Sequence, residues 1–255
     1  MEATSAGPNR TGAALNPKDI QQMLKAVDEL SPPVPINTLQ MDVERQAYIS
    51  EAEAVGSIPP APDKAKRSAA KKSNSVGASP AVALLLDKLG ERIAFERTGT
   101  RLYSALISKH MALVNSGEDV LEEAVPGESP GDTLQRIRAE ELEHFHMLCN
   151  VVSELGGDPT AQTPCADVTA TASMGLMQVV TDPRTTLAQS LSAILTAELT
   201  DNAGWELLIK LAQDAGQEDI AEPFEEALQD EEQHLMIVRS WIESLLETQA
   251  GTPAV

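Results

Sequence analysis

Residues 134–155 read LQRIRAEELEHFHMLCNVVSEL, and the fold turns on which of these side chains share one face of a helix. Neighbours on a helix face recur every three or four residues. Leu134, Ile137, Leu148, Val151 and Leu155 keep that spacing, and Glu141 and His144 fall on the same stripe. Because the apolar stripe of such a helix faces the core, a carboxylate and an imidazole point where apolar groups belong. The overlapping pair Glu143 and His146 is in register with Arg136, Ala139, Asn150 and Ser153, so it is expected on the wetter face.

Working outward, residues 224–245 repeat the arrangement. Phe224, Ala227, Val238, Trp241 and Leu245 form the stripe, with Glu231 and His234 inside it. Residues 85–107 place Glu96 among Leu85, Leu89, Ile93, Thr100, Tyr103 and Ile107, and residues 187–208 place Glu198 among Leu187, Leu191, Ile194, Asn202, Trp205 and Leu208. A lone E-x-x-H is common on solvated helices, and a lone core histidine is usually a hydrogen-bonded structural residue. Here the interruptions coincide. Glu141 follows Glu96 by 45 residues and Glu231 follows Glu198 by 33, which sets them at one level of two antiparallel hairpins.

Four inward carboxylates cannot stand uncompensated, because an ionised carboxylate buried without a partner is strongly destabilising. An E-x-x-H pair puts carboxylate and imidazole one turn apart on one face, and two such helices with two single Glu residues form a site for two ions. Two divalent cations balance four carboxylates. The expected ligands are Glu96, Glu141, His144, Glu198, Glu231 and His234, a carboxylate and imidazole set that suits iron or manganese better than zinc or copper.

Stop and start residues bound the helices. Asn115-Ser116-Gly117 ends the first near 116, Ser129-Pro130 opens the second, and Gly156-Gly157-Asp158-Pro159 ends it. The third is expected over about 183–215, ending at Gly216, and the fourth over about 218–248, with Pro223 predicting a kink or a later start. Between them, 157–182 is long enough to cross a bundle, and its Met174, Leu176, Met177 and Val179 predict that part of it packs on the bundle side. The expected fold is all-α: a four-helix bundle over 81–250 with one long crossover between its second and third helices. An N-terminal extension, 1–80, precedes it. Within that extension 1–17 reads as disordered, 18–30 as a short amphipathic helix (Ile20, Met23, Leu24, Val27, Leu30), 39–53 as a weaker one, and 58–80 as a linker rich in Pro, Ala, Lys and Ser.

Composition narrows the function. Residues 1–80 hold nine basic and nine acidic side chains, so the net charge of −20 belongs to residues 81–255. Such a surface repels phosphate backbones, which argues against nucleic acid as a partner. Cys149 and Cys165 are the only cysteines, too few for a disulfide framework or paired C-x-x-C metal sites. Neither a signal-like N-terminus nor an apolar run of spanning length is present, so the expectation is a cytoplasmic protein without a membrane partner.

The order Glu, E-x-x-H, Glu, E-x-x-H over 81–248 resembles the ferritin-like di-iron carboxylate superfamily, bacterioferritins and rubrerythrin-type bundles in particular. The resemblance implies two iron ions, with Glu96 and Glu198 as terminal ligands, Glu141 and Glu231 as bridging ligands, and His144 and His234 as one imidazole for each metal. It also implies redox roles for Tyr103 and Trp205, and carboxylates at Glu140 and Asp230 that accept from the histidine of the partner helix. The activity implied is binding of two Fe(II) and reaction with dioxygen or peroxide, as a ferroxidase or peroxidase-like oxidoreductase, in a homo-oligomer of two or more chains. Lacking the cysteines of a rubredoxin module, the chain needs an external electron donor. The alternatives are iron storage in an oligomer and a di-metal oxygenase acting on an organic substrate, for which Thr100, Asn202 and His110 are the polar residues near the inner stripes.

Overall fold

The computed structural model describes residues 17–30, 38–52, 80–117 and 121–251, and every regular element among them is helical. The chain divides into two compact units, Met1–Glu53 and Ala54–Val255. In the first, α1 (Pro17–Leu30) and α2 (Thr38–Glu51) are separate helices. Met23, Leu24, Val27 and Leu30 of α1 are all more than half exposed. The segments read as a disordered start and as a linker lie, apart from Pro17 and Pro80, outside the described residues.

The second unit contains α3 (Pro80–Asn115), α4 (Pro130–Glu154), α5 (Pro164–Thr181), α6 (Leu187–Asp214) and α7 (Ala221–Gly251). Its ends follow capping chemistry. Ser129 accepts from the Asp132 N–H ahead of α4, with Pro130 at the first position, where its missing N–H costs nothing. At the other end of α4, Gly156 takes a positive φ of 81° while the Gly157 N–H bonds back to Val152 O.

Two elements differ from the sequence reading. Residues 164–181 of the long connection form an 18-residue helix, because Thr163 caps it by accepting from the Ala166 N–H, Pro164 occupies its first turn and its interior is rich in alanine. Leu176 and Met177 of this helix pack on the core, whereas Met174 and Val179 are exposed. The helix expected from 183 begins instead at Leu187, where Thr186 and Gln189 form a reciprocal capping box. At the last helix, a 3-10 turn over Glu218–Ile220 precedes α7, so Pro223 falls in its first turn and produces a later start.

Contacts at the helix ends give the directions. Near the start of α3, Asp87 O accepts from Thr163 Oγ1 and Asp87 Oδ1 from the Cys165 N–H; near its end, Lys109 Nζ donates to Asp182 O and Thr185 O. Helix α5 therefore runs beside α3 in the same direction. Lys109 also reaches Ser190 near the start of α6, while Arg92 lies against Gly204 toward its end, so α6 runs opposite to α3. Trp205 and Phe224 meet with ring centroids 5.6 Å apart, and the Trp241 Nε1–H donates to Glu122 O beyond the far end of α3, which sets α7 opposite to α6.

The apolar interior is split in two. Leu85, Leu89, Leu148, Val151, Leu208 and Phe224 belong to one cluster, and Leu102, Leu106, Leu134, Leu191, Val238 and Trp241 to the other. The inward acids and histidines lie at the sequence positions between these two sets.

Candidate metal centre

Glu96, Glu141, His144, Glu198, Glu231 and His234 are each at most 5% exposed, whereas Glu143 and His146, two residues along α4, are exposed. Potential ligand atoms of Glu141, Glu198, Glu231 and His234 lie within 4.8 Å of one another, as do those of Glu96, His144 and Glu231. Glu231 is common to both groups. Helix α3 thus contributes Glu96, α4 Glu141 and His144, α6 Glu198, and α7 Glu231 and His234.

Each imidazole has one nitrogen in the cluster and the other on an acid of the opposite helix. His144 Nδ1 lies 2.9 Å from Glu231 Oε1, and its Nε2 lies 3.4 Å from Asp230 Oδ2. His234 Nδ1 lies 3.2 Å from Glu231 Oε2, and its Nε2 lies 2.8 Å from Glu140 Oε2. Glu140 is held in turn by Arg136 Nη1, at 3.1 and 2.9 Å to its two oxygens. A carboxylate behind an imidazole fixes the ring's orientation and raises its basicity as a ligand. The Tyr103 hydroxyl donates to Glu198 Oε1, and its ring meets His234 edge-on at 6.4 Å between centroids. Trp205 packs edge-on to His144 at 5.7 Å.

Thr100 and Asn202 turn back onto the backbone. Thr100 Oγ1 donates to Glu96 O, and Asn202 Nδ2 donates to Glu198 O and Glu231 O. His110 is buried near the start of α4, where its Nε2 lies 3.9 Å from the place a Cβ on Gly131 would occupy.

The sequence reading missed four residues around the cluster. Arg92, one turn before Glu96, is buried and donates from Nη2 to Glu96 Oε1 at 2.7 Å and to Asp201 Oδ1. Asp201 itself groups with Glu96, Glu141 and Glu231 within 4.8 Å. Its signal was present, since Glu198 and Asp201 have the same i, i+3 spacing as the two E-x-x-H pairs. The other two are helix-interior glycines. A Cβ on Gly99 would lie 1.8 Å from Glu141 Oε2, and one on Gly204 would lie 2.2 Å from Arg92 Nη1. Each glycine makes room for a charged group of the neighbouring helix, at a cost in helix propensity of about 1 kcal/mol.

Without a metal ion, protons balance this much buried negative charge. Burial, followed by the charges of Glu231, Glu96 and Glu198, pushes the Glu141 carboxyl well above its usual range. Glu198 is pushed up to about 8 by burial and then by Glu231. Burial opposes ionisation of Glu231, but the charge of His234 and hydrogen bonds from both histidines outweigh it and hold that carboxyl down to about 2. Burial also disfavours charge on the imidazoles, yet the contacts of His144 with Glu231 and Glu96 raise it to about 10, and Glu231 with Glu140 raises His234 well above its ordinary value.

The donor set fits metal ions. Glu96 Oε2, Glu141 Oε2 and Glu198 Oε2 are buried and have no hydrogen-bond partner. Three unsatisfied carboxylate oxygens in one layer are costly unless a cation meets them.

A helical unit whose core is interrupted by buried carboxylates and paired histidines has the donor types of a metal-binding helical domain. Residues 128–247, from just before α4 to the last turns of α7, match the family model of the ferritin-like domain. The match supports ferritin-like superfamily membership for this segment. Helix α3, with Glu96, lies outside the matched segment. Comparison with curated proteins and with solved structures gives no significant match. Among the described residues, no helix is long and apolar enough to cross a membrane.

Proposed function

We propose that α3, α4, α6 and α7 form a ferritin-like four-helix bundle with α5 in its long crossover, and that the bundle is a non-haem di-iron oxidoreductase, a ferroxidase or a peroxidase-like enzyme. The observation that carries this reading is the reciprocal pairing of the two E-x-x-H helices: each histidine is backed by the acid preceding the opposite glutamate. Glu96, Glu141, His144, Glu198, Glu231 and His234 would hold the two metals. A pair of ferrous ions supplies electrons for reducing dioxygen or peroxide, and for a ferroxidase Fe(II) is also the substrate. Manganese fits the same donors.

The chain's own residues orient and protect this chemistry. The two apolar clusters on either side exclude water from the carboxylate layer. Glu140 and Asp230 fix the imidazole rings. Burial and then Glu198 keep the Tyr103 phenol protonated well above its ordinary value, so Tyr103 holds Glu198 Oε1 in place as a hydrogen-bond donor and is the first redox candidate. Trp205, against His144, is the second redox candidate. With Cys149 and Cys165 as the only cysteines, further electrons come from an external donor. The protein is read as a cytoplasmic homo-oligomer without nucleic-acid or membrane partners.

The test is anaerobic loading with Fe(II) followed by air. Oxidation of two irons per chain is expected, and the Glu141→Ala, Glu231→Ala double variant should lose it. Normal oxidation in that variant rules the site out. Mass in solution separates the storage alternative, in which a very large assembly takes up far more iron per chain.

A further inference from the structure

The two single glutamates, Glu96 and Glu198, are chemically alike but held differently. Glu198 Oε1 accepts from a neutral phenol, Tyr103. Glu96 Oε1 accepts from the cationic guanidinium of Arg92. Arg92 is a built feature: its side chain is 3% exposed, its guanidinium carbon lies 4.6 Å from the Phe95 ring centroid and 5.5 Å from that of Trp205, and Gly204 leaves room for Nη1. Asp201, equally buried, takes the other hydrogen bond of Nη2.

We propose that Arg92, fixed by Asp201, is a positioning residue that makes the two metal positions unequal, the one facing Glu96 and His144 being the weaker. This rests on the di-metal reading above. Arg92 leaves Glu96 with Oε2 as its unpartnered oxygen and sets a fixed positive charge beside that position. It also occupies Asp201, whose carboxylate would otherwise be within reach as an extra ligand beside Glu96, Glu141 and Glu231. Among the described residues no guanidinium is hydrogen-bonded to Glu198 or His234, so their position fills first and holds its metal longer. The two partners of the pair then act in opposite directions. Loss of the Arg92 charge frees Asp201 for a metal, whereas loss of the Asp201 charge turns the full Arg92 charge on Glu96.

The experiment is anaerobic titration of the metal-free full chain with Co(II), read by visible absorption and calorimetry. Wild type should take two ions in two resolved steps. Asp201→Asn should weaken the second step by roughly ten- to hundredfold, the scale for groups that orient metal ligands, and leave the first unchanged. Arg92→Gln should tighten the second step or admit a third ion. That reversal of sign separates positioning from a merely structural role, in which both variants lose affinity together. Two equal steps in the wild type, or shifts in the same direction in both variants, overturn the proposal while leaving the di-metal reading intact. A wild-type chain that binds no Co(II) overturns both. If Arg92→Gln does not fold, the wild-type steps and the nearly isosteric Asp201→Asn still decide.

Discussion

The hairpin of α3 and α4 and the hairpin of α6 and α7 are two renderings of one scheme. Each supplies a single glutamate, an E-x-x-H pair and an acid before the pair's glutamate: Glu96, Glu141, His144 and Glu140 in one, Glu198, Glu231, His234 and Asp230 in the other. Seven residues beyond the single glutamate stands an aromatic, Tyr103 or Trp205, and each packs edge-on to the histidine of the other hairpin. The hairpins part company in what surrounds these residues. Three residues after Glu96 is Gly99, whose missing side chain admits Glu141; three residues after Glu198 is Asp201, which holds Arg92. The candidate ligands repeat, but the groups that hold them do not.

The comparison breaks most severely at Gly99. Gly99→Ala puts a methyl group 1.8 Å from Glu141 Oε2 and 2.7 Å from its Cδ, so the carboxylate must leave its place. Uptake of two metals per chain should be lost, as counted by metal analysis after loading. Alanine gains about 1 kcal/mol of helix propensity over glycine, so the metal-free protein need not melt much lower and the loss is local to the cluster. Gly204→Ala, on α6, displaces Arg92 instead and should spare the first metal. Full two-metal uptake by Gly99→Ala would show that Glu141 is not a ligand.

The same contrast explains what could be read from the sequence. Glu141 and His144 were separable from Glu143 and His146 because a helix stripe over 134–155 admits one register only, and the starts at Ser129-Pro130 and the stop at Gly156 follow from local backbone chemistry. Helix α5 escaped because its buried residues, Ala166, Ser173 and Val180, are few and small, so the segment carries little apolar periodicity although Thr163-Pro164 is a start signal. Arg92 and Asp201 escaped for a different reason. A charged residue at helical spacing reads as solvated surface, and only the approach of α6 to α3 at Gly204 shows that these two neutralise each other inside the core.

On the di-metal reading protons compete with metals in both hairpins, which gives the next effect in size. Glu198 holds its proton up to about 8 and His144 up to about 10, and Glu141 and His234 are also raised. A raised group is protonated at neutral pH, so a metal must displace that proton, and affinity rises with pH by up to about tenfold per pH unit for each proton displaced. Metal addition to weakly buffered protein at pH 7 should therefore acidify the solution. Affinity that stays constant between pH 6 and 8 would mean that the raised carboxyl and imidazole groups are not where the metal binds.

The smallest expected effects measure how far the two hairpins differ behind their histidines. Glu140 stands 2.8 Å from His234 Nε2, is 22% exposed and is gripped by Arg136 through both oxygens. Asp230 stands 3.4 Å from His144 Nε2 and is 42% exposed, so water competes for it. Replacing a carboxylate that orients a histidine ligand typically lowers metal affinity by about ten- to hundredfold, so Glu140→Gln should fall in that range. Asp230→Asn should cost no more than a few-fold, since exposed ion pairs contribute roughly 0–1 kcal/mol. Equal losses would mean that metal binding draws Asp230 inward to the geometry Glu140 already has, and the asymmetry between the hairpins would then reside on α3 and α6 alone, with Arg92 and Asp201.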